Sequence, residues 1–181
     1  MMLNDRQILE QIKLGNIVIT PFDENALGTN SYDIHLGNTL AVYVDEILDV
    51  KKHNQIKYIE IPEEGYILQP GKLYLGSTKE YTETHKHVPF VEGKSSSGRL
   101  GLQVHSTAGK GDVGFCNHWT LEISCLQPIK VYANMPIGQI FYFEIDGNIL
   151  RKYTDKPNAK YNKITNLPVE SMMWKNFEES K

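Results

Sequence analysis

Residues 92–124 read EGKSSSGRLGLQVHSTAGKGDVGFCNHWTLEIS and combine hydroxyls, cations and six glycines between short apolar runs. This composition is typical of a ligand site carried by strands, because a packed core does not hold so many polar side chains. Gly93 and Gly98 allow backbone N–H groups to approach a ligand closely, and Ser95 and Arg99 supply donors for phosphate oxygens. The last part, Trp119–Ser124, alternates apolar and polar residues and therefore indicates a half-buried β-strand.

Short strand candidates extend on both sides of this stretch, and glycine and proline turn signals separate them. Many short strands at this spacing predict an all-β fold, either a sandwich or a closed barrel, with one helical turn at Ser95–Leu100. A short helix comes first, because Asn4 and Gln7 form a capping-box pattern and Gly15 follows an apolar stripe. The predicted strands are Ile17–Thr20, Tyr32–Leu36, Leu40–Val44, Tyr58–Ile61, Tyr66–Leu68, Leu73–Leu75, Val88–Val91, Leu102–His105, Trp119–Ser124, Ile129–Tyr132 and Gln139–Ile145.

The composition narrows the class of protein. A length of 181 residues predicts one domain spanning residues 1–181. The formal net charge of −3, with scattered cations, argues against a nucleic-acid partner. Cys116 and Cys125 form neither a disulfide framework nor a C-x-x-C pair, so we expect a reduced, cytoplasmic setting. We also expect no membrane partner, because no apolar run approaches the ~18 residues of a span and no signal-peptide pattern begins the chain.

Glu122 is the candidate acid–base group. Alternation places it on the strand face opposite to Trp119 and Leu121. The residues alone leave two readings open. Glu122 is either an ordinary surface acid or a carboxylate in a partly desolvated pocket, where it can accept and return protons.

Three motifs, in this order and at this spacing, resemble the dCTP deaminase family of the dUTPase-like superfamily. They are Gly93–Leu102 (GKSSSGRLGL), Thr107–Phe115 (TAGKGDVGF) and Leu121–Glu122. The resemblance continues upstream at Asn30–Asp33 and downstream at Lys160. It implies a distorted dUTPase-like β-barrel that assembles as a homotrimer with sites between subunits. It also implies hydrolytic deamination of dCTP to dUTP and ammonia, which supplies dUMP for thymidylate synthesis.

The resemblance implies a role for each motif residue. Glu122 would transfer the protons, Ser95 and the backbone at Ala108 would orient the attacking water, and Arg99 would stabilise the developing negative charge. Without the resemblance, Arg99 would be interpreted as a surface arginine. Asp112 could then as well be a turn-forming aspartate as a ligand-binding one. The implied substrate-binding residues are Lys94, Ser96 and Ser97 for the triphosphate, Asp112 for the deoxyribose 3′-hydroxyl, and Thr120, Leu121, Tyr153 and Lys160 for the rest of the nucleotide.

The chain lacks the H-x-E and P-C-x-x-C signatures of zinc deaminases. We therefore predict a zinc-independent reaction and assign no residue as a metal ligand. Mg²⁺ is expected only with the substrate triphosphate. Feedback inhibition by dTTP is a further implication of the resemblance.

Two products are compatible with the motifs. We predict dUTP, with a bifunctional enzyme that forms dUMP, ammonia and pyrophosphate as the alternative. The run His105–Gly109 and the carboxylate of Asp112 favour dUMP formation, whereas Lys110, Gly111 and Ile164 replace residues usual in the family.

Three other classes of protein have less support from the sequence. A pure dUTPase lacks support because the glycine-rich C-terminal motif that closes over phosphates is absent. His85, His87 and Glu92 form the H-x-H-x4-E pattern of metal-binding cupins, but no histidine follows Pro136–Gly138. A non-catalytic, protein-binding β-scaffold gives no reason for four residues to occur together: Ser95, Arg99, Asp112 and Glu122.

Residues 151–181 are polar and turn-rich and end in apolar residues such as Trp174 and Phe177. Such a segment cannot form a core by itself, so it packs on a neighbouring surface, folds over a ligand or frays. The apolar end argues against fraying throughout. The resemblance implies a lid over the nucleotide.

Overall fold

The computed structural model describes residues 1–178. Within them, most of the strands join one eight-stranded sheet along the path β6-β10-β2-β5-β8-β7, with β1 paired to β5 and β3 paired to β2. Strands β4 and β9 form a separate antiparallel pair. The elements are α1 (Asp5–Lys13), β1 (Ile17–Thr20), β2 (Tyr32–Tyr43), β3 (Ile56–Glu60), β4 (Tyr66–Leu68), β5 (Tyr74–Thr84), β6 (His87–Gly93), α2 (Ser95–Gly98), β7 (Leu102–Val104), β8 (Cys116–Cys125), β9 (Ile129–Val131) and β10 (Pro136–Glu144), with 3₁₀ turns at Glu24–Ala26, Tyr153–Asp155 and Met173–Asn176.

The predicted all-β class and the N-terminal helix are both confirmed. Asn4 caps α1 through a capping box, in which its side chain accepts from the Gln7 N–H and the Gln7 side chain accepts from the Asn4 N–H. Ile8 is the fully buried anchor of the apolar stripe. Gly15 adopts φ 69°, a left-handed conformation that glycine reaches without strain, and it lies just past the end of the helix.

The prediction of two strands separated at Gly37 was wrong, because Tyr32–Tyr43 is one continuous strand. Gly37 is needed for packing rather than for a turn. A Cβ atom there would lie 2.8 Å from Ser77 Oγ on the adjacent strand β5. The glycine thus allows the two strands to approach closely at a register shift.

The prediction also missed most of β5, which runs to Thr84 rather than ending at Leu75. Its second half is rich in polar residues that are nevertheless buried, including Thr78, Glu80 and Thr82. Glu80 is only 2% exposed, and it accepts from the His35 N–H at 2.9 Å. Because these polar groups are paired inside the sheet, hydrophobic periodicity could not reveal the strand.

Strand β8 has the alternation that the sequence predicted. Trp119, Leu121 and Ile123 belong to the core cluster, while Thr120 and Glu122 face the other side and are half-buried. The opposite face of β8 therefore remains available for a site. Among the described residues, no helix combines the length and apolarity that crossing a bilayer requires.

Gly138 provides a test of the packing in the sheet. It lies in β10 between β6 and β2, and a Cβ atom there would meet the Glu92 carbonyl oxygen at 2.6 Å. Because that oxygen belongs to the backbone of a paired strand, we expect Gly138→Ala to lower the free energy of unfolding by about 1–3 kcal/mol. Urea denaturation measures this change. The matched control is Gly98→Ala, where a Cβ would have no neighbour within 4 Å. Equal stability of the two variants would contradict the packing argument.

Candidate active site

A cavity of about 500 Å³ lies over the outer face of β8 and contains Glu122. This volume falls in the range of small-molecule sites. The cavity is bounded by β8, by the loop that precedes it and by the C-terminal segment. Its lining residues are Tyr43, Leu73, Leu75, His105, Ala108, Lys110, Gly111, Asp112, Phe115, Asn117, His118, Trp119, Thr120, Glu122, Tyr153, Tyr161, Val169, Glu170 and Ser171.

Glu122 is held by His105. The sequence motifs did not predict this contact. His105 Nδ1 lies 3.1 Å from Glu122 Oε2, and the His105 N–H donates to the Glu122 carbonyl at 3.0 Å. The imidazole is 4% exposed and stands edge-on to Trp119, whereas the Glu122 side chain is 39% exposed. The arrangement fixes one carboxylate oxygen and leaves Glu122 open to the cavity.

His105 is itself held in an unusual position. Its φ of 50° is left-handed, which is uncommon for a residue other than glycine. Its Nε2 is buried and has no hydrogen-bond partner within residues 1–178. Strained backbone and an unsatisfied buried polar atom cluster at functional sites, so His105 belongs to the candidate site.

Asp112 lies in the same cavity and is paired with two lysines. Lys110 Nζ lies 2.9 Å from Asp112 Oδ1, and Lys156 Nζ lies 3.0 Å from Asp112 Oδ2. The hydrogen bond from Lys110, helped by that from Lys156, lowers the pKa of Asp112 below its ordinary value despite partial burial. Asp112 is therefore a carboxylate at neutral pH and not merely a turn-forming residue.

The C-terminal segment folds back onto the barrel of its own chain. Asn117 on β8 holds it at three points: its side chain donates to the carbonyls of Tyr161 and Lys163 and accepts from the Thr165 N–H. Further along, the Thr120 hydroxyl accepts from the Val169 N–H at 3.0 Å. The predicted lid thus packs over β8. The segment from residue 179 to residue 181 lies outside the described residues.

Two tyrosines of this segment form a wall of the cavity. The Tyr153 hydroxyl accepts from the Tyr161 N–H at 3.0 Å, and the Tyr153 ring packs edge-on against Phe115 at 5.7 Å. The Tyr161 hydroxyl in turn accepts from the Met172 N–H. Val169 and Glu170 complete the wall. No periodic pattern in the sequence marks these last two residues as part of a site.

The structure separates the predicted site residues into two groups. Five of them line the cavity: Ala108, Asp112, Thr120, Glu122 and Tyr153. Leu121 directs its side chain into the core, where it is fully buried, so only its backbone can contact a ligand. The remainder are not among the lining residues of the described cavity; they are Lys94, Ser95, Ser96, Ser97, Arg99 and Lys160.

The turn α2 carries most of the second group. Ser95, Ser96 and Arg99 are exposed, whereas Ser97 is buried. Lys94, just before the turn, forms an ion pair with Asp33. The predicted phosphate donors therefore lie on or next to a turn outside the described cavity lining in the single chain.

The histidine pattern considered for a cupin is not brought together. His85 pairs with Glu83 rather than with His87 or Glu92. His87 is buried, and Glu92 is exposed. Within the described part of the chain, these three residues do not form a group of metal ligands.

The fold and the cavity together define a class of protein: a β-barrel enzyme with two carboxylates in a cavity that its own C-terminal segment helps to enclose. The sequence profile described as dCTP deaminase-like matches residues 2–145. The chain belongs to this family.

Relatives match along the whole length. The chain is 50% identical over 179 residues to "dCTP deaminase, dUMP-forming" of Clostridium beijerinckii, covering 99% of this chain and 100% of that protein. It is 52% identical over 168 residues to the protein of the same name from Cytophaga hutchinsonii, covering 92% and 94% of the two chains. The crystal structure of 2′-deoxycytidine 5′-triphosphate deaminase from Agrobacterium tumefaciens superposes with a TM-score of 0.61 at 19% identity, covering 78% of this chain and 47% of that one. This last likeness concerns the fold alone, and it agrees with the predicted barrel.

Proposed function

We propose that this enzyme converts dCTP to dUMP, ammonia and pyrophosphate, consuming two water molecules. One observation carries the proposal: two carboxylates with different partners, Glu122 and Asp112, line one cavity. Two hydrolytic steps need two such groups, one at the base and one at the phosphate chain. The dUMP-forming relatives, about half identical over nearly the full chain, support the same product.

In the first step, Glu122 accepts a proton from water as the oxygen attacks C4 of cytosine. It gives that proton to N3, then takes the proton of the new C4 hydroxyl and delivers it to the amino group, which leaves as ammonia while the C4 carbonyl of uracil forms. His105 holds one oxygen of the carboxylate, so the other can face the water. Ser95, Arg99 and the backbone at Ala108 keep the roles implied by the family resemblance, which are orientation of the water and stabilisation of charge.

In the second step, Asp112 positions a second water for attack on the α-phosphate, and pyrophosphate leaves. The lowered pKa of Asp112 keeps it ionised, so its carboxylate oxygens can accept a hydrogen bond from that water. Lys110 and Lys156, which neutralise Asp112 in the free enzyme, lie where they can also pair with phosphate oxygens.

This proposal replaces our sequence-based expectation of dUTP as the released product. The names of the full-length relatives count against that expectation. The substituted residues Lys110 and Gly111, which argued for dUTP, line the cavity next to Asp112. Lys110 forms an ion pair with Asp112 there, so its presence does not argue against a role for Asp112 in dUMP formation.

The separation of α2 from the Glu122 cavity supports a site shared between subunits, in which a neighbouring subunit supplies Ser95 and Arg99. The homotrimer is the assembly that the family resemblance implies. Mg²⁺ would enter as part of the substrate, bound to the triphosphate, because the cavity carboxylate of Asp112 is already neutralised by lysines. Lys94, Ser96, Ser97 and Lys160 remain proposed substrate contacts. Inhibition by dTTP and a cytoplasmic location rest on the resemblance and the composition alone.

Asp112→Asn tests the second step separately from the first. The amide keeps the size and one acceptor of the side chain but cannot take a proton. We expect dUMP formation to fall by about 10²–10⁴-fold while deamination falls much less, so that dUTP accumulates. The assay resolves dUTP and dUMP by chromatography at early time points. Asp45→Asn, at an exposed position in the loop after β2, is the matched control.

The outcomes distinguish the proposals. Wild-type enzyme should release dUMP and pyrophosphate in equal amounts without free dUTP. Accumulation of dUTP by the wild type would overturn dUMP formation but leave deamination standing. Equal loss of both steps in Asp112→Asn would show that Asp112 binds the nucleotide and has no separate role at the α-phosphate.

A further inference from the structure

A second cluster of reactive side chains lies outside the lining of the Glu122 cavity. Glu83 is the penultimate residue of β5, His85 lies in the turn that follows, and Cys116 begins β8. One ligand atom from each lies within 4.8 Å of the other two. Glu83 and Cys116 are direct cross-strand partners, and His85 Nε2 lies 2.8 Å from Glu83 Oε2. All three side chains are half-buried, so a solvated ion can reach them.

We propose that Glu83, His85 and Cys116 bind a divalent transition-metal ion of the Zn²⁺ type, with water as the fourth ligand. Thiolate, imidazole and carboxylate are the donors that Zn²⁺ takes in proteins, usually in tetrahedral geometry. Metal–ligand bonds of about 2.0–2.3 Å require the donors to lie within roughly 4 Å of one another, which small side-chain rotations achieve here. The thiolate disfavours Mg²⁺, which prefers oxygen ligands.

Tyr81 orients one of the proposed ligands, Glu83, through a hydrogen bond. Its hydroxyl donates to Glu83 Oε1 at 2.8 Å, which leaves Oε2 directed toward His85. Burial, together with the hydrogen bond to Glu83, raises the pKa of Tyr81 to about 12, so the phenol remains a donor at neutral pH. Outer partners of this kind orient the ligands of metal sites.

A reactive-thiol function for the same cluster is disfavoured. Burial raises the pKa of the Cys116 thiol, and the neighbouring Glu83 carboxylate raises it further. A thiol in this state is a poor nucleophile at neutral pH. A bound divalent cation reverses both effects, because it neutralises the carboxylate and stabilises the thiolate.

The site would stabilise the barrel and take no part in catalysis. Cys116 precedes Glu122 on β8 by six residues, roughly 20 Å at about 3.3 Å per residue. The ion would join the end of β5 to the start of β8, close to Gly114. A Cβ atom built at Gly114 would lie 2.6 Å from Lys152 Cβ, so the proposed site is next to the start of the C-terminal segment. This inference does not depend on the identity of the substrate.

Titration of the metal-free, full-length protein with Co²⁺ tests the proposal, because cobalt reports thiolate ligation by its charge-transfer absorption. We expect one Co²⁺ per chain with this absorption, displacement by Zn²⁺, and a higher thermal midpoint with either metal. Cys116→Ser should abolish the absorption, whereas Cys125→Ser, which changes the other free cysteine, should retain it. Tyr81→Phe should weaken Co²⁺ binding by about 10-fold. The deamination rate should be the same with and without Zn²⁺.

The negative results are equally specific. Absence of the charge-transfer band in the wild type, or its persistence in Cys116→Ser, would overturn the proposal. If Cys116→Ser does not fold, His85→Gln serves instead, with an expected loss of affinity of at least 10-fold. Loss of deamination on zinc removal, with recovery by zinc alone, would refute the stabilising role and the zinc-independent reaction together.

Discussion

Glu122→Gln is expected to abolish deamination while leaving the fold and dCTP binding nearly intact. The amide has the shape of the carboxylate and can keep the hydrogen bond to His105, but it cannot accept a proton from water. General acid–base groups typically contribute ~10²–10⁴-fold, and a group used in two successive transfers should reach the upper end or exceed it. Steady-state rates with dCTP measure the loss, and equilibrium dialysis measures binding by the inactive variant.

A matched substitution separates chemistry from charge. Glu63 is exposed in the turn between β3 and β4, so Glu63→Gln removes the same charge away from the cavity. We expect this control to retain the wild-type rate and thermal midpoint. If Glu122→Gln keeps a tenth or more of wild-type turnover, Glu122 is not the acid–base group. If it loses dCTP binding in proportion, its role is in binding.

Strand β8 shows where sequence reasoning succeeds. Its apolar residues repeat strictly every second position, and one face packs into the core, so the pattern determines both the strand and the side on which Glu122 lies. The same reasoning failed for β5. There, Thr78, Glu80 and Thr82 can be buried because each hydrogen-bonds to the backbone of a neighbouring strand. Hydrogen bonds between polar side chains and strands that are distant in the sequence leave no periodic pattern of apolar residues.

The site was predicted in part for a similar reason. The motif residues Asp112 and Glu122 were singled out by the family resemblance, because the local pattern alone left each of them an ordinary structural role as well. The role of His105 beside Glu122 depends on a left-handed backbone and on a contact across 17 positions of sequence. Glu170 reaches the cavity only because the C-terminal segment folds back on β8. Such contacts arise from tertiary structure and not from local preference.

A mixing experiment tests whether two subunits build each site, as the exposed position of α2 suggests. Glu122→Gln and Arg99→Ala are each expected to be inactive alone, the first for lack of a base and the second for lack of charge stabilisation. If Glu122 and Arg99 come from different subunits, a hybrid trimer contains sites with both native residues. Random assembly from equal amounts should restore about a quarter of wild-type activity, since each of the two native residues is present at a given site half of the time.

The restoration must depend on subunit exchange. The two variants carry different affinity tags, and native mass spectrometry counts the hybrids after joint refolding. The same variants mixed without refolding should stay inactive until subunits exchange. Demonstrated hybrids without activity would place Glu122 and Arg99 in one subunit, contrary to the proposal. That result would also require α2 to move toward the cavity of its own chain on nucleotide binding, because Arg99 is exposed outside the described cavity lining.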